Sequence, residues 1–242
     1  MIIAEIGIAH EGDVNRALEH VARAHACGAD AIKTQYQMPD HDLPSGHPWE
    51  ATLRRCVLSH DEHRVIRQRA KELGMLYGCT PFCVEAVERI NSLEPDFIKV
   101  GGAGWQNTAM LEAIHATGRR VILSMGCDFE DLMPSFARDW ERLFCASSYP
   151  TPPERSGLGR FSGEAMDGLS DHSGTPWAGL YAIANGADIV EVHFPKEGPD
   201  AASSLDDAQL GALVEGARWM CIARESGKPV HDAEVVRLAS AR

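Results

Sequence analysis

The fold class follows from residues 15–35, NRALEHVARAHACGADAIKTQ. In the first part, Leu18, Val21 and Ala22 recur at the spacing of one helix face, which predicts an amphipathic helix over Asn15–Cys27. Gly28 follows, and glycine is the residue type that most often ends a helix. The short apolar run that comes next predicts a buried strand. This stretch therefore predicts a helix that leads through a glycine into a strand.

The same alternation recurs along the chain. The predicted strands are Ile2–Gly7, Ala31–Gln35, Met75–Cys79, Phe97–Val100, Val121–Ser124, Leu143–Ser147, Gly168–Ser170 and Ile189–His193. Further helices are predicted at His60–Leu73, Asn107–Ala116, Thr175–Asn185 and Asp206–Glu225. Eight such units in 242 residues leave roughly 30 residues per unit, which is the size of the repeat in a (β/α)8 barrel.

These elements predict an α/β protein with one (β/α)8 TIM barrel domain over residues 1–242. The alternative is a doubly wound open sheet, which usually carries a glycine-rich phosphate fingerprint after its first strand. Here the first strand is followed by Gly7 and Gly12, and their spacing does not match that fingerprint. The longest irregular stretch, residues 36–58, is predicted to be a functional loop because loops of that length usually have a function.

Composition and charge exclude several classes of protein. Apolar residues make up 44% of the chain, and no apolar run approaches the roughly 18 residues that a membrane span needs. The net charge of -12 argues against a nucleic-acid or anionic-membrane partner, but not against a small anionic substrate. The N-terminus lacks the pattern of a signal peptide, and the seven cysteines form no zinc motif. We therefore expect reduced thiols and a cytoplasmic location.

Polar side chains stand where nearly every predicted strand ends, and in a barrel these ends build the active site. Lys33 and Lys99 lie within strands, where a buried ammonium requires an anionic partner. Together with the hydroxyls of Thr80, Ser124 and Ser170, the two lysines predict a site for phosphate or carboxylate.

Two histidines follow successive strands. His172 and His193 are too few for a closed zinc site, but they suit an open site for Mn²⁺, Mg²⁺ or Zn²⁺ that water and substrate complete. The alternative is a pair of hydrogen-bonded core histidines. His10 is a separate candidate for proton transfer or substrate contact. The histidines on predicted helices are expected at the surface: His20, His25, His60, His63 and His115.

Seven segments resemble those of the sialic acid synthase family in the same order and over essentially the whole chain. They are IAEIGIAHEG (3–12), GADAIKTQ (28–35), CTPF (79–82), VILSMG (121–126), SSYPTPPE (147–154), LSDHS (169–173) and GADIVEVHF (186–194). The resemblance implies an N-acetylneuraminate synthase-like transferase of carbohydrate biosynthesis. Such an enzyme condenses phosphoenolpyruvate with an open-chain amino sugar or related aldehyde, releases phosphate and yields a 2-keto-3-deoxy sugar acid.

The resemblance also implies roles for individual residues. His172 and His193 would hold the divalent metal, Mn²⁺ or Mg²⁺, that polarises the aldehyde. The residues implied in phosphoenolpyruvate binding are Lys33, Thr80, Lys99, Ser124, Ser147 and Ser170. The residues expected near the metal or the sugar are Glu5, Tyr149, Glu191 and Asp200. Together with His10, they are the candidate catalytic residues.

Three departures from the family pattern stand out. Residues 99–104 read KVGGAG, whereas the family pattern after the fourth strand resembles KIASGE. Gly102 and Gly104 therefore replace a serine and a catalytic carboxylate of that pattern. Residues 198–204, GPDAASS, keep Asp200 but lose a histidine and a lysine. The sequence also resembles a short form without the C-terminal antifreeze-like domain. A smaller or differently charged acceptor is one explanation, and a separate partner that supplies the cap is another. The partners that stay open are this capping protein and a homo-oligomer.

Two other functions stay open on the sequence. The first is a diverged barrel enzyme, such as an aldolase, a lyase or another transferase that uses phosphoenolpyruvate, and Gly102 and Gly104 favour it. The second is a non-catalytic binding subunit, which the missing cap favours. Retention of both lysines and both histidines argues against the second, because a pure binder has little need of a metal Lewis acid.

Overall fold

The computed structural model describes residues 1–42, 46–102, 104–126, 133–146 and 148–226. Eight parallel strands form a closed barrel in which each strand pairs with the next and β8 pairs with β1. This confirms the predicted (β/α)8 barrel. The strands are β1 (Ile2–Glu5), β2 (Ala31–Tyr36), β3 (Leu76–Pro81), β4 (Phe97–Val100), β5 (Val121–Met125), β6 (Glu141–Cys145), β7 (Gly168–Asp171) and β8 (Ile189–His193).

Helices surround the barrel at the predicted places and at three others. They are α1 (Val14–Ala26), α2 (Pro39–Asp42), α3 (Glu50–Arg55), α4 (His60–Glu72), α5 (Val84–Ser92), α6 (Thr108–Ala116), α7 (Trp177–Ala184) and α8 (Asp207–Ser226). The prediction missed α5, and it treated the stretch that contains α2 and α3 as irregular. Between β6 and β7 the described part of the connection holds only short 3-10 turns, at Pro153–Arg155 and Leu158–Arg160.

Local sequence explains where α4 begins. The Ser59 side chain accepts a hydrogen bond from the Glu62 backbone N–H, and the Glu62 carboxylate accepts one from Ser59 N–H at 2.6 Å. This reciprocal pair is the capping box that the sequence predicts, and it satisfies two backbone donors that a helix start leaves free.

The period of two along each strand separates an apolar layer from a polar layer inside the barrel. The lower layer is a small buried cluster made of Ile3, Ala31, Phe97, Ile122, Leu143 and Ile189. Two residues further along the same six strands stand Glu5, Lys33, Lys99, Ser124, Cys145 and Glu191, all of them buried. The apolar layer therefore forms the floor on which the polar side chains rest.

Two histidines that we expected at the surface are buried, so that expectation was wrong for His20 and His63. His63 lies on the inward face of α4, where its ring stacks on Tyr36 and its Nδ1 is 3.3 Å from the Tyr77 hydroxyl. Packing against β2 and β3 therefore decides its position. No helix in the described part of the chain is long and apolar enough to cross a membrane.

Candidate active site

A cavity of about 390 Å³ opens at the C-terminal ends of the strands. We call it the inner cavity. The predicted site residues that line it are Lys33, Thr80, Lys99, Ser124, Tyr149, Ser170, His172, Glu191 and His193. The predicted phosphoenolpyruvate contact Ser147 lies outside the described residues. Residues far apart in sequence thus meet here because parallel strands deliver their ends to one face of the barrel.

Two buried lysines share one carboxylate at the base of this cavity. The Nζ atom of Lys33 lies 3.3 Å from Oε1 of Glu191, and the Nζ atom of Lys99 lies 3.1 Å from Oε2. Lys33 also pairs with Glu5, its register neighbour across β1 and β2. The expectation that each buried ammonium has an anionic partner is therefore confirmed.

Hydroxyl groups hold the same two ammonium groups from the neighbouring strands. Lys33 donates a hydrogen bond to Oγ1 of Thr80 at 2.7 Å, and Lys99 donates one to Oγ of Ser124 at 2.6 Å. Lys99 also donates to the carbonyl of Val100 at 3.2 Å. The lysines are thus fixed in position before any ligand binds, which lowers the cost of ordering them around an anion.

The charges of this cluster depend on burial and on one another. Burial lowers the pKa of Lys33 to about 8, although the charge of Glu191 opposes that shift. Burial would raise the pKa of Glu191, but Lys99 and Lys33 outweigh it and hold that pKa well below its usual range. At neutral pH Glu191 is therefore ionised and Lys33 is mostly protonated.

The two predicted metal ligands stand together on the other side of the cavity. The rings of His172 and His193 have centroids 5.1 Å apart, and the Tyr149 ring lies 3.8 Å from that of His172. Nδ1 of His172 is 3.9 Å from the Cys145 sulfur. Burial lowers the pKa of His172 well below its usual value, so its imidazole is neutral, which is the form that binds metal ions.

The donor set fits an open metal site and does not fit a closed one. Nδ1 of His193 is buried and makes no hydrogen bond to the described residues, and it lies 3.5 Å from Oδ2 of Asp200. The described part of the chain holds no group of three or more His, Cys, Asp or Glu side chains arranged for a metal. A cation held by His172 and His193 would therefore take its other ligands from water or substrate.

Asp200 reaches the site from the 3-10 segment Gly198–Ser203, which follows β8. Its Oδ2 accepts a hydrogen bond from the Ile8 backbone N–H at 3.2 Å. This approach requires glycine at position 7, because Gly7 has a φ of +46° and a Cβ there would collide with the Asp200 carboxylate. The contact ties the segment after β8 to the turn after β1.

Glu5 and His10 are buried, but neither is among the residues that line the inner cavity. Glu5 lies beneath it and accepts a hydrogen bond from the Gly7 backbone N–H at 2.7 Å. His10 lies in the turn after β1, where its Nδ1 accepts a hydrogen bond from Gly12 N–H at 3.0 Å. Burial lowers the pKa of His10 to about 4, so it is neutral at pH 7.

A second cavity of about 570 Å³ adjoins the first, and we call it the outer cavity. The two share four residues, Gln35, Asp42, Phe82 and Tyr149. The remaining residues of the outer wall are Ile8, Gln37, Trp49, Leu53, Pro150, Pro199, Asp200, Ala202 and Ser203. Sequence reasoning did not identify Gln37, Asp42, Trp49 or Phe82 as site residues, although it did predict that the loop carrying three of them is functional.

The glycines that depart from the family pattern also line the inner cavity. A Cβ at Gly102 would lie 3.7 Å from the Cys145 sulfur, which is an ordinary contact. A Cβ at Gly104 would lie 3.0 Å from Cε of Met110 and 3.1 Å from Cγ1 of Val100, which is tight. Position 102 can therefore hold a small side chain, whereas a side chain at position 104 requires the Met110 and Val100 side chains to shift.

Comparison with known proteins identifies the family of this chain. The NeuB family model matches residues 20–229. An uncharacterized protein of Methanocaldococcus jannaschii is 31% identical over 234 residues, covering 90% of this chain and 69% of that protein. The N-acetylneuraminate-9-phosphate synthase of Mus musculus is 29% identical over 262 residues, covering 94% of this chain and 71% of that enzyme.

Among solved structures, the N-acetylneuraminic acid (sialic acid) synthetase of Leptospira borgpetersenii serovar Hardjo-bovis, crystallised in complex with citrate, matches with a TM-score of 0.83. The sequences are 25% identical, and the match covers 99% of this chain and 90% of that one. Since the family model covers well over half of the residues, the chain belongs to the NeuB family, and the expectation of a sialic acid synthase-type enzyme is confirmed.

Proposed function

We propose that this protein condenses phosphoenolpyruvate with an aldehyde acceptor of the amino-sugar class in a metal-dependent reaction. The products are a 2-keto-3-deoxy sugar acid and inorganic phosphate. The observation that carries the proposal is the pair of buried lysines, Lys33 and Lys99, which face one cavity at the C-terminal end of the barrel.

The inner cavity suits phosphoenolpyruvate in charge and in size. The ligand carries a carboxylate and a phosphate, and two ammonium groups with the hydroxyls of Thr80, Ser124 and Ser170 offer the donors that both groups need. A volume of about 390 Å³ is that of a small-molecule site. Because the cavity is walled by buried groups, its charges are less screened there than in water.

The reaction can be written with its atoms balanced. Carbon 3 of phosphoenolpyruvate attacks the aldehyde carbon, so a C–C bond forms and carbon 2 becomes electron-poor. A water molecule adds to carbon 2, and the bond from carbon 2 to the phosphate oxygen breaks. Phosphate leaves with its bridging oxygen, and the ketone oxygen comes from water. Of the two water protons, one ends on the former aldehyde oxygen, which becomes a hydroxyl, and the other leaves with the phosphate. Lys33 and Lys99 would bind the anionic groups and oppose their charge throughout.

The acceptor end of the site would lie beside the two histidines. His172 and His193 would hold the divalent cation, which supplies a Lewis acid for the aldehyde oxygen when it is bound. Tyr149 and Asp200 line the outer cavity next to these histidines and would orient the acceptor. Glu191 keeps both lysines in place between turnovers.

Mass spectrometry in H₂¹⁸O tests the proposal. The purified chain is incubated with phosphoenolpyruvate, Mn²⁺ and a panel of amino-sugar aldehydes. We expect a product with the mass of the acceptor plus pyruvic acid that carries one ¹⁸O, because its ketone oxygen comes from the labelled water, together with phosphate that carries no ¹⁸O. Labelled phosphate formed without acceptor would indicate simple hydrolysis at phosphorus and would overturn the proposal.

A second candidate is a lyase or another transferase that uses phosphoenolpyruvate. It is favoured by Gly102 and Gly104, because the wall that they form offers no carboxylate to the inner cavity. The same experiment separates the two functions, since this candidate consumes phosphoenolpyruvate without forming the acceptor-plus-pyruvic-acid product.

A further inference from the structure

The outer cavity is lined by negative charge, although it adjoins the inner cavity that we propose binds phosphoenolpyruvate. Among the described residues that line it, the charged side chains are Asp42 and Asp200, and no lysine, arginine or histidine is present. The rest of its wall is uncharged: it carries amide and hydroxyl groups and an apolar part that includes Trp49, Leu53 and Phe82. The cationic side chains of the site all belong to the inner cavity.

Asp42 stands where the two cavities meet, at the end of α2. Its Oδ2 accepts a hydrogen bond from the Met38 backbone N–H, and the Cys83 thiol lies beside the carboxylate. Its Oδ1 is buried and accepts no hydrogen bond from the described residues. A buried carboxylate oxygen without a full donor is costly, and a ligand that supplies an N–H or O–H removes that cost.

The other carboxylates of the site are already engaged. Glu191 is held by two lysines, and Glu5 pairs with Lys33. Asp200 accepts a hydrogen bond from Ile8 N–H and lies 3.5 Å from His193. Apart from the weak donor Cys83, no described side chain offers a proton to the Asp42 carboxylate, whose Oδ1 accepts no hydrogen bond from the described residues and which faces both cavities.

We propose that Asp42 is a specificity-determining residue for the acceptor: it accepts a hydrogen bond from a hydroxyl, amide or ammonium group and disfavours phosphorylated acceptors. This inference rests on the proposed condensation. The phosphate of a phosphorylated aldehyde carries roughly two negative charges, and the described residues that line the outer cavity include two aspartates and no cationic side chain. A neutral or ammonium-bearing acceptor meets no such repulsion and gains a charge-assisted hydrogen bond.

The walls of the outer cavity agree with a neutral acceptor that has an apolar part. Gln37 donates a hydrogen bond to Gln35 at 2.8 Å, so these two amides form a fixed polar strip beside Asp42. In the same cavity, Trp49, Leu53 and Phe82 suit the carbon skeleton of a sugar chain or an acyl group. Among Gln35, Gln37, Trp49, Leu53 and Phe82, which are all uncharged, Asp42 is thus the charged side chain.

Steady-state phosphate release by the full chain tests the inference. The assay uses phosphoenolpyruvate, Mn²⁺ and either a neutral N-acetylated amino-sugar aldehyde or its 6-phosphate. Asp42→Asn and Asp42→Lys are compared with Asp40→Asn, a neighbour on α2 whose carboxylate pairs with Arg54 at the surface. Thermal melting of each variant shows that it is folded, and the two substitutions at position 42 serve as independent tests.

We expect the wild type to use the neutral acceptor with at least tenfold higher kcat/KM than the phosphorylated one. Asp42→Asn should raise the acceptor KM about tenfold with the phosphoenolpyruvate KM unchanged, and Asp42→Lys should shift the preference toward the phosphorylated acceptor. Asp40→Asn should match the wild type. If the wild type turns over and both Asp42 variants keep its acceptor KM and its preference for the neutral acceptor, this inference is overturned and the proposed function stands. Absence of turnover in the wild type overturns the proposed function and the inference with it.

Discussion

The Nζ atom of Lys99 on β4 lies 3.1 Å from Oε2 of Glu191 on β8, and both side chains are buried. In a closed barrel of eight strands, β4 and β8 are on opposite sides, so this ion pair spans the interior. Lys33 on β2 joins it through the other oxygen of Glu191. One carboxylate thus holds two cations at the centre of the barrel, directly above the apolar floor.

Removing this carboxylate should destabilise the fold. Glu191→Gln leaves the buried ammonium of Lys99 without a carboxylate and that of Lys33 with Glu5 alone, and breaking a buried pair in this way costs about 3–5 kcal/mol. Urea denaturation at pH 7 measures the loss. The control is Glu141→Gln, which breaks a 2.6 Å pair with Arg120 at the surface and should cost no more than about 1 kcal/mol. Equal losses in the two variants would contradict the buried cluster.

Binding of phosphoenolpyruvate should weaken at alkaline pH. The pKa of Lys33 is lowered by burial to about 8, and the anion requires its protonated form. The phosphate is already ionised above pH 7, so from about pH 8 upward affinity should fall toward tenfold per pH unit. Calorimetry between pH 6.5 and 9.5 measures this fall. Lys33→Arg stays protonated over the range and should show a flatter profile; a flat profile in the wild type would refute the role of Lys33.

Acid should destabilise the protein partly through His63. Burial lowers the pKa of His63 to about 3, whereas an unfolded histidine has a pKa near 6.5. Below pH 6.5 the unfolded state therefore binds a proton that the folded state does not, and stability falls by up to about 1.4 kcal/mol per pH unit until about pH 3.

The substitution His63→Phe keeps the stacking on Tyr36 and removes this titration. Between pH 6 and 4.5 the unfolding free energy should then change less steeply with pH, by an amount that corresponds to about one bound proton. Urea denaturation at several pH values measures this slope. His115→Gln, at an exposed position on α6, is the control and should keep the wild-type slope. An unchanged slope in His63→Phe would show that His63 is protonated in the fold.

The two glycines of the inner cavity should differ in what they tolerate. Gly102→Ser introduces a Cβ at ordinary contact distance and should change stability by less than about 1 kcal/mol. Gly104→Glu presses on Met110 and Val100 and should cost about 1–3 kcal/mol. Urea denaturation measures the loss of unfolding free energy in each variant. A larger loss in Gly102→Ser than in Gly104→Glu would contradict the packing around residue 104.

The barrel and the inner cavity were predictable because both follow from local patterns. Repeated helix, glycine and strand units predict parallel pairing, and the period of two places Lys33, Lys99 and Glu191 above the apolar layer. The ion pairing of the lysines was likewise predictable, since a buried ammonium needs a partner.

The outer cavity was not predictable, because it depends on packing between distant segments. The loop after β2 looked irregular, yet it contains α2 and α3 and contributes Asp42 and Trp49 to the same cavity as Tyr149 and Asp200, which lie at least 100 residues later. The burial of His63 has the same origin, since its helix alone gives no sign of the Tyr36 ring that covers it. Ser147, which the sequence places at the end of a predicted strand, lies outside the described residues.

The most direct test of the central claim is the rate of phosphate release when each component is withheld in turn. We predict release only with phosphoenolpyruvate, an amino-sugar aldehyde and Mn²⁺ or Mg²⁺ together, loss of it with a chelator and recovery on adding either metal. Lys99→Ala should lower kcat/KM for phosphoenolpyruvate at least 100-fold, or about 2.7 kcal/mol. No release with any aldehyde of a broad panel, or release at the same rate without an aldehyde, would contradict the account.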